Sequence, residues 1–244
     1  MLSQIKPLRN IILLGSNSQI GLAILNGLQL EPSVNLHLIG RKMPPPSEIP
    51  IFVTSCNFIS CDLENRLDIE NAIGHINDIP SIDLVIIAAG YLPPENNDIS
   101  LDSIFKTYSI NSSGCSAFLS AVALKMSKER KGRIVYISSI ATFRPRVKNF
   151  TYGSSKASAE FFARGIASKY VHDGVKVLIV KPGFVFTKMT TGFKPAPFAI
   201  SAEVVAKIAI AGLEKGVQVV FAPKKLRYLT PILRMLPASI FRLL

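Results

Sequence analysis

The sequence predicts a single α/β domain in which one doubly wound parallel sheet is covered by helices on both faces. Three observations support this: six short runs rich in Val, Ile and Leu recur along the chain, helical patterns separate them, and several runs end in glycine. Near-continuous apolar runs are typical of strands buried between two helical layers. The chain has 244 residues, 48% of them hydrophobic, and shows no linker or repeat. We therefore expect one domain over residues 1–244, with one large core.

The first predicted strand, residues 10–14, runs directly into a glycine turn and then into a helical pattern. Unpaired N–H groups and the positive end of a helix dipole make such a turn a binding site for a pyrophosphate. Taken alone, the pattern also fits an ordinary turn between a strand and a helix. The residues that we expect at the anion are Gly15, Ser18, Gln19, Ile20 and Gly21.

The other predicted strands follow in order at 34–41, 58–63, 82–90, 133–139 and 175–183. In open parallel sheets, ligands bind beyond the carboxyl ends of the strands. The residues that fall at these ends are Gly15, Arg41, Asp62, Gly90, Ser139 and Gly183. We therefore expect them to border one shared site.

Tyr152 and Lys156 are spaced one helical turn apart, and Ser139 precedes Tyr152 by thirteen positions. Because positions i and i+4 share a helix face, we expect the Lys156 ammonium to shift the pKa of Tyr152 from its usual value of about 10 toward neutrality. Such a phenol can act as a general acid and base, with Ser139 bonded to the same substrate oxygen. A half-buried tyrosine beside a solvated lysine is the simpler alternative.

Taken together and in this order, the motifs resemble those of the short-chain dehydrogenase/reductase family over nearly the whole chain. The resemblance implies a Rossmann-type fold and an oxidoreductase that uses a nicotinamide cofactor. It also implies Tyr152 as the general acid and base, Lys156 as its activator and a ligand of the nicotinamide ribose, and Ser139 as the group that polarises the carbonyl. Asn111 matches the family asparagine that holds a proton-relay water through a distorted helix.

The same resemblance implies further contacts to the cofactor. Residues 62–63 match the pair beside the adenine, residues 88–90 resemble a family segment without its asparagine, and residues 182–187 match the loop that holds the carboxamide. The residues implied in this way are Asp62, Leu63, Ala88, Ala89, Gly90, Tyr152, Lys156, Pro182, Gly183, Val185 and Thr187. Gln19 stands where the family usually has a middle glycine, so we expect a different backbone approach to the pyrophosphate.

Cofactor preference depends on Arg41 at the end of the second strand. An acid there binds the ribose diol, whereas an arginine can pair with a 2′-phosphate. Arg41, followed by Lys42, therefore favours NADP(H). NAD(H) remains an alternative, because an arginine at this place can also stack on adenine.

Residues 149–156 and the segment from 221 onward are similar to a branch of the family that reduces a ketone on a polyprenyl-phosphate-linked sugar. This similarity implies a lipid-linked ketone as substrate, with residues 188–200 as a lid. The alternatives are a free hydrophobic ketone of acyl or steroid-like type, a cofactor-binding regulator without turnover, and a membrane-surface scaffold.

The net charge of +12 is concentrated toward the end of the chain, where eleven basic and two acidic residues follow Gly174. Basic and apolar residues alternate in the tail, 224–244, which suits an anchor on an anionic membrane surface. The alternative is packing against a second copy in a homo-oligomer. We expect a cytoplasmic protein, peripheral at the inner membrane face, without a spanning helix and without nucleic-acid binding.

The cysteines, Cys56, Cys61 and Cys115, form no CxxC or Cys/His pattern. We therefore expect free thiols in a reducing compartment and no metal site.

Overall fold

The computed structural model describes residues 8–28, 33–94, 99–235 and 237. Within these ranges the strands are β1 Asn10–Leu14, β2 Val34–Gly40, β3 Val53–Ser60, β4 Leu84–Ile87, β5 Gly132–Ile137, β6 Val175–Pro182, β7 Val185–Phe186, β8 Ile200–Ser201 and β9 Val219–Ala222. The α-helices of the same ranges are α1 Gln19–Gly27, α2 Arg66–Asp78, α3 Leu101–Tyr108, α4 Cys115–Lys128, α5 Phe150–Lys169, α6 Ala202–Lys215 and α7 Leu226–Met235.

Seven of the strands form one parallel sheet in the order β3-β2-β1-β4-β5-β6-β9. The chain builds outward from β1 to β3 and then returns to β4 on the other side of β1. Leu14 at the end of β1 therefore lies opposite both Ile39 of β2 and Ile87 of β4. This arrangement confirms the predicted doubly wound fold, and it places the reversal of strand order, where ligands bind in such sheets, between β1 and β4.

Each face of the sheet has its own hydrophobic core. On one face, Leu25 of α1 packs in a cluster with Ala209 of α6. On the other face, Phe118 of α4 and Ala163 of α5 pack with Ile76 of α2. These side chains are buried, so the strands between the two layers are apolar on both sides, as their sequence pattern predicts.

Two strands differ from the prediction. The third strand begins at Val53 and ends at Ser60, not at 58–63. It is the edge strand and half of it is exposed, so its first residues include Thr54 and Ser55 and lack an apolar run. The sequence analysis also missed β9, which closes the other edge of the sheet beside β6.

The first part of the predicted tail forms α7, which ends at Met235. Residues 236 and 238–244 of the tail lie outside the described residues. Within the described part of the chain, no helix combines the length and the hydropathy that crossing a bilayer requires.

Candidate active site

A cavity of about 1490 Å³ opens at the carboxyl ends of the parallel strands. It is lined by the loops that follow β1, β2, β4, β5 and β6, by the first part of α5, and by α7. The predicted residues that line it are Gly15, Ser18, Gln19, Ile20, Arg41, Asp62, Leu63, Ala88, Ala89, Gly90, Ser139, Tyr152, Lys156, Pro182, Gly183, Val185 and Thr187. The fold thus brings together residues that are up to 172 positions apart in sequence, from Gly15 to Thr187.

Two predicted residues, Gly21 and Asn111, are not among those that line the cavity. A Cβ atom at Gly21 would lie 2.6 Å from Cδ1 of Leu13 and 3.1 Å from Cβ of Ala88, so this glycine lets α1 pack against the sheet. Gly21 therefore allows close packing of helix and strand.

The glycine turn after β1 has the shape of an anion site. Gly15 has a φ of +92°, and a Cβ atom there would lie 2.7 Å from the backbone nitrogen of Ala89. Ser18 caps α1 by accepting a hydrogen bond from the N–H of Gly21 (3.3 Å). The N-terminus of α1 consequently faces the cavity with its partial positive charge, as a pyrophosphate requires.

Gln19 connects this turn to the predicted lid. Its Oε1 atom accepts a hydrogen bond of 2.5 Å from the backbone N–H of Lys188, 169 positions away. The sequence placed Gln19 at the expected anion site, where the family usually has a glycine, but it did not predict this bond, because a contact across that separation leaves no local signal.

The predicted adenosine end of the cavity lies beyond β2 and β3. Arg41 and Lys42 line it there, and the Lys42 carbonyl accepts hydrogen bonds from Ser16 Oγ (2.7 Å) and from the Asn17 amide. Asp62 also lines the cavity, and its carboxylate accepts a hydrogen bond from the backbone N–H of Glu64 (3.1 Å). Ser16 and Asn17, which the sequence analysis did not single out, tie the loop after β2 to the glycine turn.

Tyr152 and Ser139 both line the cavity, and the Ser139 side chain is close enough to influence the ionisation of the Tyr152 phenol. Burial raises the pKa of Tyr152 to about 12, and the hydrogen bond from Ser139 opposes that rise. Ser139 Oγ also accepts the N–H of Ala141 (3.1 Å), which fixes its direction at the end of β5.

Lys156 is buried, but its ammonium group is held by two backbone carbonyls. Nζ donates to the carbonyl oxygens of Ala89 (3.2 Å) and Ile137 (3.1 Å). Burial lowers the pKa of Lys156. The expectation that Lys156 brings the pKa of Tyr152 toward neutrality is therefore wrong for this arrangement, since desolvation of the phenol outweighs the other influences on it.

Asn111 lies in a π-helical segment, Ser109–Gly114, which joins α3 to α4 and is the distorted helix that the resemblance implies. The Asn111 side chain is completely buried and bonds both backbone groups of Tyr91, at 2.7 and 2.8 Å, and Ser155 Oγ at 3.1 Å. It thereby pins the loop after β4 to α5.

Pro182 is the last residue of β6 and Gly183 follows it, while Val185 begins β7 and Thr187 follows that strand. The N–H of Gly183 bonds the Ala222 carbonyl of β9 (2.8 Å), and the N–H of Thr187 bonds Thr190 Oγ1 (3.1 Å). The strand β9, which the sequence analysis missed, therefore supports the loop that the resemblance assigns to the carboxamide.

The predicted lid, residues 188–200, connects two short strands, β7 and β8, which pair with each other in a separate small sheet. Val185 of β7 lies opposite Ile200 of β8, so both ends of 188–200 are held. Between them, Met189, Phe193 and Phe198 line the cavity together with Leu226 of α7.

Cations also border this substrate end of the cavity: Arg146, Lys148 and Lys194 line it. Burial lowers the pKa of Arg146. No group of three or more His, Cys, Asp or Glu side chains in the described ranges is arranged to hold a metal ion.

Glu160 and Lys181 form a buried ion pair that the sequence analysis missed. Lys181 Nζ lies 2.8 Å from the Glu160 carboxylate, directly behind the turn that follows Ser139. One signal was available, because Tyr152, Lys156 and Glu160 are spaced by four residues and so share a face of α5.

The residues present fit a nicotinamide dinucleotide. A Cβ atom would fill the cradle at Gly15, and at Gly90 it would lie 3.2 Å from Lys156 Nζ. The cavity runs from Arg41 past the N-terminus of α1 to Tyr152, so it offers a cationic end, an anion site and a proton donor in that order.

Comparisons with known proteins agree with this geometry. The family model described as short chain dehydrogenase matches residues 9–197. An uncharacterized oxidoreductase of Mycobacterium tuberculosis (strain CDC 1551 / Oshkosh) is 39% identical over 126 residues, which cover 52% of this chain and 51% of that protein. This match therefore spans about half the length of that relative.

A second relative and a solved structure cover nearly the whole chain. An uncharacterized oxidoreductase of Streptomyces coelicolor is 28% identical over 242 residues, 97% of this chain and 96% of that protein. A short-chain dehydrogenase from Sphingobium yanoikuyae, solved in complex with NADPH, superimposes with a TM-score of 0.77 at 18% identity, covering 95% of this chain and 98% of that one.

Proposed function

The chain belongs to the short-chain dehydrogenase family, and from this premise we propose that it is an NAD(P)-dependent oxidoreductase that reduces a ketone, with Tyr152 as the proton donor. The observation that carries the proposal is that Ser139, Tyr152 and Lys156 line the same cavity wall, with Ser139 close enough to act on the ionisation of the Tyr152 phenol. Both hydroxyls can reach one substrate oxygen there, and Lys156 lies one turn along the same helix.

The nicotinamide, when bound, supplies the hydride that reduces the carbonyl carbon. Ser139 donates a hydrogen bond to the carbonyl oxygen, and Tyr152 transfers its proton to that oxygen as charge develops on it. Because burial raises the pKa of Tyr152 to about 12, the phenol carries its proton at neutral pH, as an acid for reduction must. The phenolate that remains is stabilised by Ser139 until it takes a proton from water.

The test follows oxidation of NADPH or NADH by absorbance while a ketone is added. We expect turnover by the unaltered protein, a loss of at least about 100-fold in Tyr152→Phe, and unchanged cofactor binding in that variant. Tyr170→Phe, at the end of the same helix, is the matched control and should keep full turnover. Equal turnover in Tyr152→Phe would contradict the assignment.

For the cofactor we propose a preference for NADP(H), with NAD(H) as the alternative. Arg41 and Lys42 border the cavity beyond β2, where a 2′-phosphate would lie. The neighbour from Sphingobium yanoikuyae was solved with NADPH. Fluorescence titration with each reduced cofactor tests the preference, and tighter binding of NADH would contradict it.

For the substrate we propose an amphiphilic ketone with an anionic group, of the kind reduced by decaprenylphosphoryl-2-keto-erythro-pentose reductase, which residues 149–156 and the segment from 221 resemble. This proposal is supported by the combination of apolar and cationic side chains at the substrate end of the cavity. Apolar lid residues such as Phe193 and Phe198 lie there with the cations Arg146, Lys148 and Lys194. An isoprenoid chain and a phosphodiester would find matching chemistry in one place.

The alternative substrate is a free hydrophobic ketone of acyl or steroid-like type, which the apolar lid also favours. Comparing kcat/KM for three test ketones distinguishes the two substrate classes. The test ketones are a polyprenyl-phosphoryl 2-keto-pentose, the same keto-sugar without lipid, and an uncharged hydrophobic ketone. We expect the highest kcat/KM for the first. A higher value for the uncharged ketone favours the alternative, and cofactor binding without oxidation of any ketone favours a regulator.

We further propose that the tail, 224–244, associates with anionic membrane surfaces. In the described part of the tail, the exposed Tyr228 lies close in sequence to Lys224, Lys225 and Arg227. Co-sedimentation with vesicles of phosphatidylglycerol should exceed that with phosphatidylcholine, and should fall when Lys224 and Lys225 are replaced by glutamine. Equal binding to both vesicles would contradict membrane association.

A homo-oligomer is the second proposed partner interaction. Phe105 of α3 and Phe161 of α5 are 67% and 82% exposed, although both are large and apolar. Such exposure on neighbouring helices is typical of a surface that packs against another protein chain. Sedimentation equilibrium should show an oligomer that Phe161→Ser weakens, and a monomeric unaltered protein would contradict the proposal.

A further inference from the structure

The buried pair Glu160 and Lys181 lies next to the catalytic residues but outside the cavity lining. Glu160 is 6% exposed and Lys181 is 2% exposed. Removing a carboxylate and an ammonium group from water is costly unless their other hydrogen-bonding positions are also filled. What surrounds this pair therefore indicates what it is for.

Glu160 bonds the residue that follows β5 and the turn after it. Its Oε2 atom lies 2.5 Å from Ser138 Oγ and 3.1 Å from Thr142 Oγ1. These two residues bracket the segment that begins with Ser139. Thr142 Oγ1 also lies 2.9 Å from the Ser139 carbonyl oxygen, so the turn is bonded at both ends.

Lys181 joins the same turn to the end of β6. Its ammonium group lies 2.8 Å from the Glu160 carboxylate and 2.7 Å from Thr142 Oγ1, and 3.9 Å from the centre of the Phe143 ring. Lys181 immediately precedes Pro182, which ends β6 and lines the cavity together with Gly183. One ion pair thus connects α5, the Ser139 turn and the loop after β6.

The charges are arranged so that Glu160 stays ionised. Burial by itself raises the pKa of Glu160, but hydrogen bonds from Lys181 and Ser138 and the charge of Lys181 outweigh it, and the pKa lies below its ordinary value. Arg164 adds two further bonds to Oε1, at 2.8 and 3.1 Å. An ionised carboxylate is the strongest available acceptor for the Ser138 hydroxyl.

We propose that Glu160 and Lys181 are positioning residues, which clamp the Ser139 turn against α5 so that the Ser139 and Tyr152 hydroxyls converge on one substrate oxygen. This inference rests on the proposed ketone reduction. The clamp acts because Tyr152 and Glu160 belong to the same helix, whereas Ser139 begins a short turn after β5 that Ser138 and Thr142 tie to Glu160. A displacement of about 1 Å between reacting groups can lower the rate by about 100-fold.

Two variants test the clamp, one that disrupts the ion pair and one that removes a single hydrogen bond to it. Glu160→Gln removes the charge and leaves Lys181 buried without its partner. Ser138→Ala removes one hydroxyl and leaves the ion pair intact, so it remains informative if the first variant folds poorly. There are two matched controls. Ser158→Ala removes an exposed hydroxyl on α5, the helix of Glu160, that bonds Ser112 of the π-helical segment. Glu70→Gln removes an exposed carboxylate that pairs with Arg66.

The first readout does not need turnover. Hydrogen exchange followed by mass spectrometry should show exchange in the segment 138–143 accelerated by about tenfold or more in both test variants, with no change there in either control. Unaltered exchange in this segment would overturn the clamp, whether or not the protein reduces a ketone.

The second readout is a double-mutant cycle in kcat at saturating cofactor. We expect kcat to fall by about tenfold to 100-fold in Glu160→Gln, with the dissociation constant of NADPH within about twofold of the unaltered protein. In a Ser139→Ala background, Glu160→Gln should have little further effect, because the group that it positions is gone. Effects that multiply would overturn the inference, since they would mean that Glu160 acts independently of Ser139.

The two proposals fail in different ways. Absence of turnover by the unaltered protein, with NADPH bound, contradicts ketone reduction and leaves the exchange result to decide the clamp. Turnover by the unaltered protein with unaltered exchange in both variants contradicts the clamp alone.

Discussion

Replacement of Gly15 by alanine should damage stability and cofactor binding together. The residue has a φ of +92°, which costs an alanine about 1–2 kcal/mol, and the added Cβ atom would lie 2.7 Å from Ala89 N and 2.9 Å from Ala88 C. These neighbours are backbone atoms, so the turn must move, and overpacking of this kind costs about 1–3 kcal/mol. The total loss should be about 2–5 kcal/mol in the free energy of unfolding, which leaves a domain of ordinary stability folded.

Urea unfolding followed by circular dichroism measures the loss of stability, and fluorescence titration with NADPH measures binding. We expect the dissociation constant of NADPH to rise by more than about tenfold, because the displaced turn carries the anion site at the start of α1.

Gly165→Ala is the matched control, since Gly165 lies in the exposed part of α5 and a Cβ atom there would meet nothing within 4 Å. This variant should gain about 0.5–1 kcal/mol and bind NADPH normally, because alanine is the better helix former. A Gly15→Ala protein as stable as the unaltered one, with normal NADPH binding, would refute the reasoning.

Three further changes probe other parts of the site. Gln19→Ala removes the bond to the Lys188 N–H, and should raise the KM for the ketone by about threefold to tenfold. Steady-state kinetics showing an unchanged KM would exclude a role for this contact in holding the lid. Arg41→Asp should weaken NADPH binding by about tenfold to 100-fold and spare NADH, because a charge-assisted bond to phosphate contributes about 1.5–3 kcal/mol; equal weakening of both cofactors in fluorescence titrations would contradict it. The pKa of Tyr152 is raised to about 12 in the folded protein, above the usual value of about 10, so the folded state holds this proton more tightly. Its contribution to stability is complete below the lower value and is lost as the pH rises toward the higher one, by up to about 1.4 kcal/mol per pH unit. Urea unfolding at about pH 9 and about pH 11 should therefore show a smaller alkaline loss in Tyr152→Phe than in the unaltered protein, and an identical loss would contradict the assignment.

The core strands could be predicted because a strand that is buried on both faces consists almost entirely of apolar residues. β1, β4 and β6 carry apolar side chains on both faces, so the apolar run and the buried strand coincide. β3 could not be delimited in this way, since an edge strand is stabilised by pairing on one side only and tolerates polar residues at its exposed positions.

The residues of the candidate site could be located from their place at strand ends, but their electrostatics could not. Sequence spacing puts Lys156 on the same helix face as Tyr152, and that much holds. The spacing does not reveal that the Lys156 ammonium bonds the carbonyls of Ala89 and Ile137, or that desolvation dominates the pKa of the phenol. Both effects depend on atoms brought in from other strands.

The sequence by itself determined the doubly wound fold, the edge of the sheet where the site lies and the types of residue in it, because local apolar periodicity and the glycine turn act over short separations along the chain. Only the tertiary structure decided which of those residues touch. The contact of Gln19 with Lys188 spans 169 positions, and Glu160 meets Ser138 and Lys181 across 22 and 21 positions. Such contacts form when strands and helices pack, and a linear pattern of residue types carries no record of them.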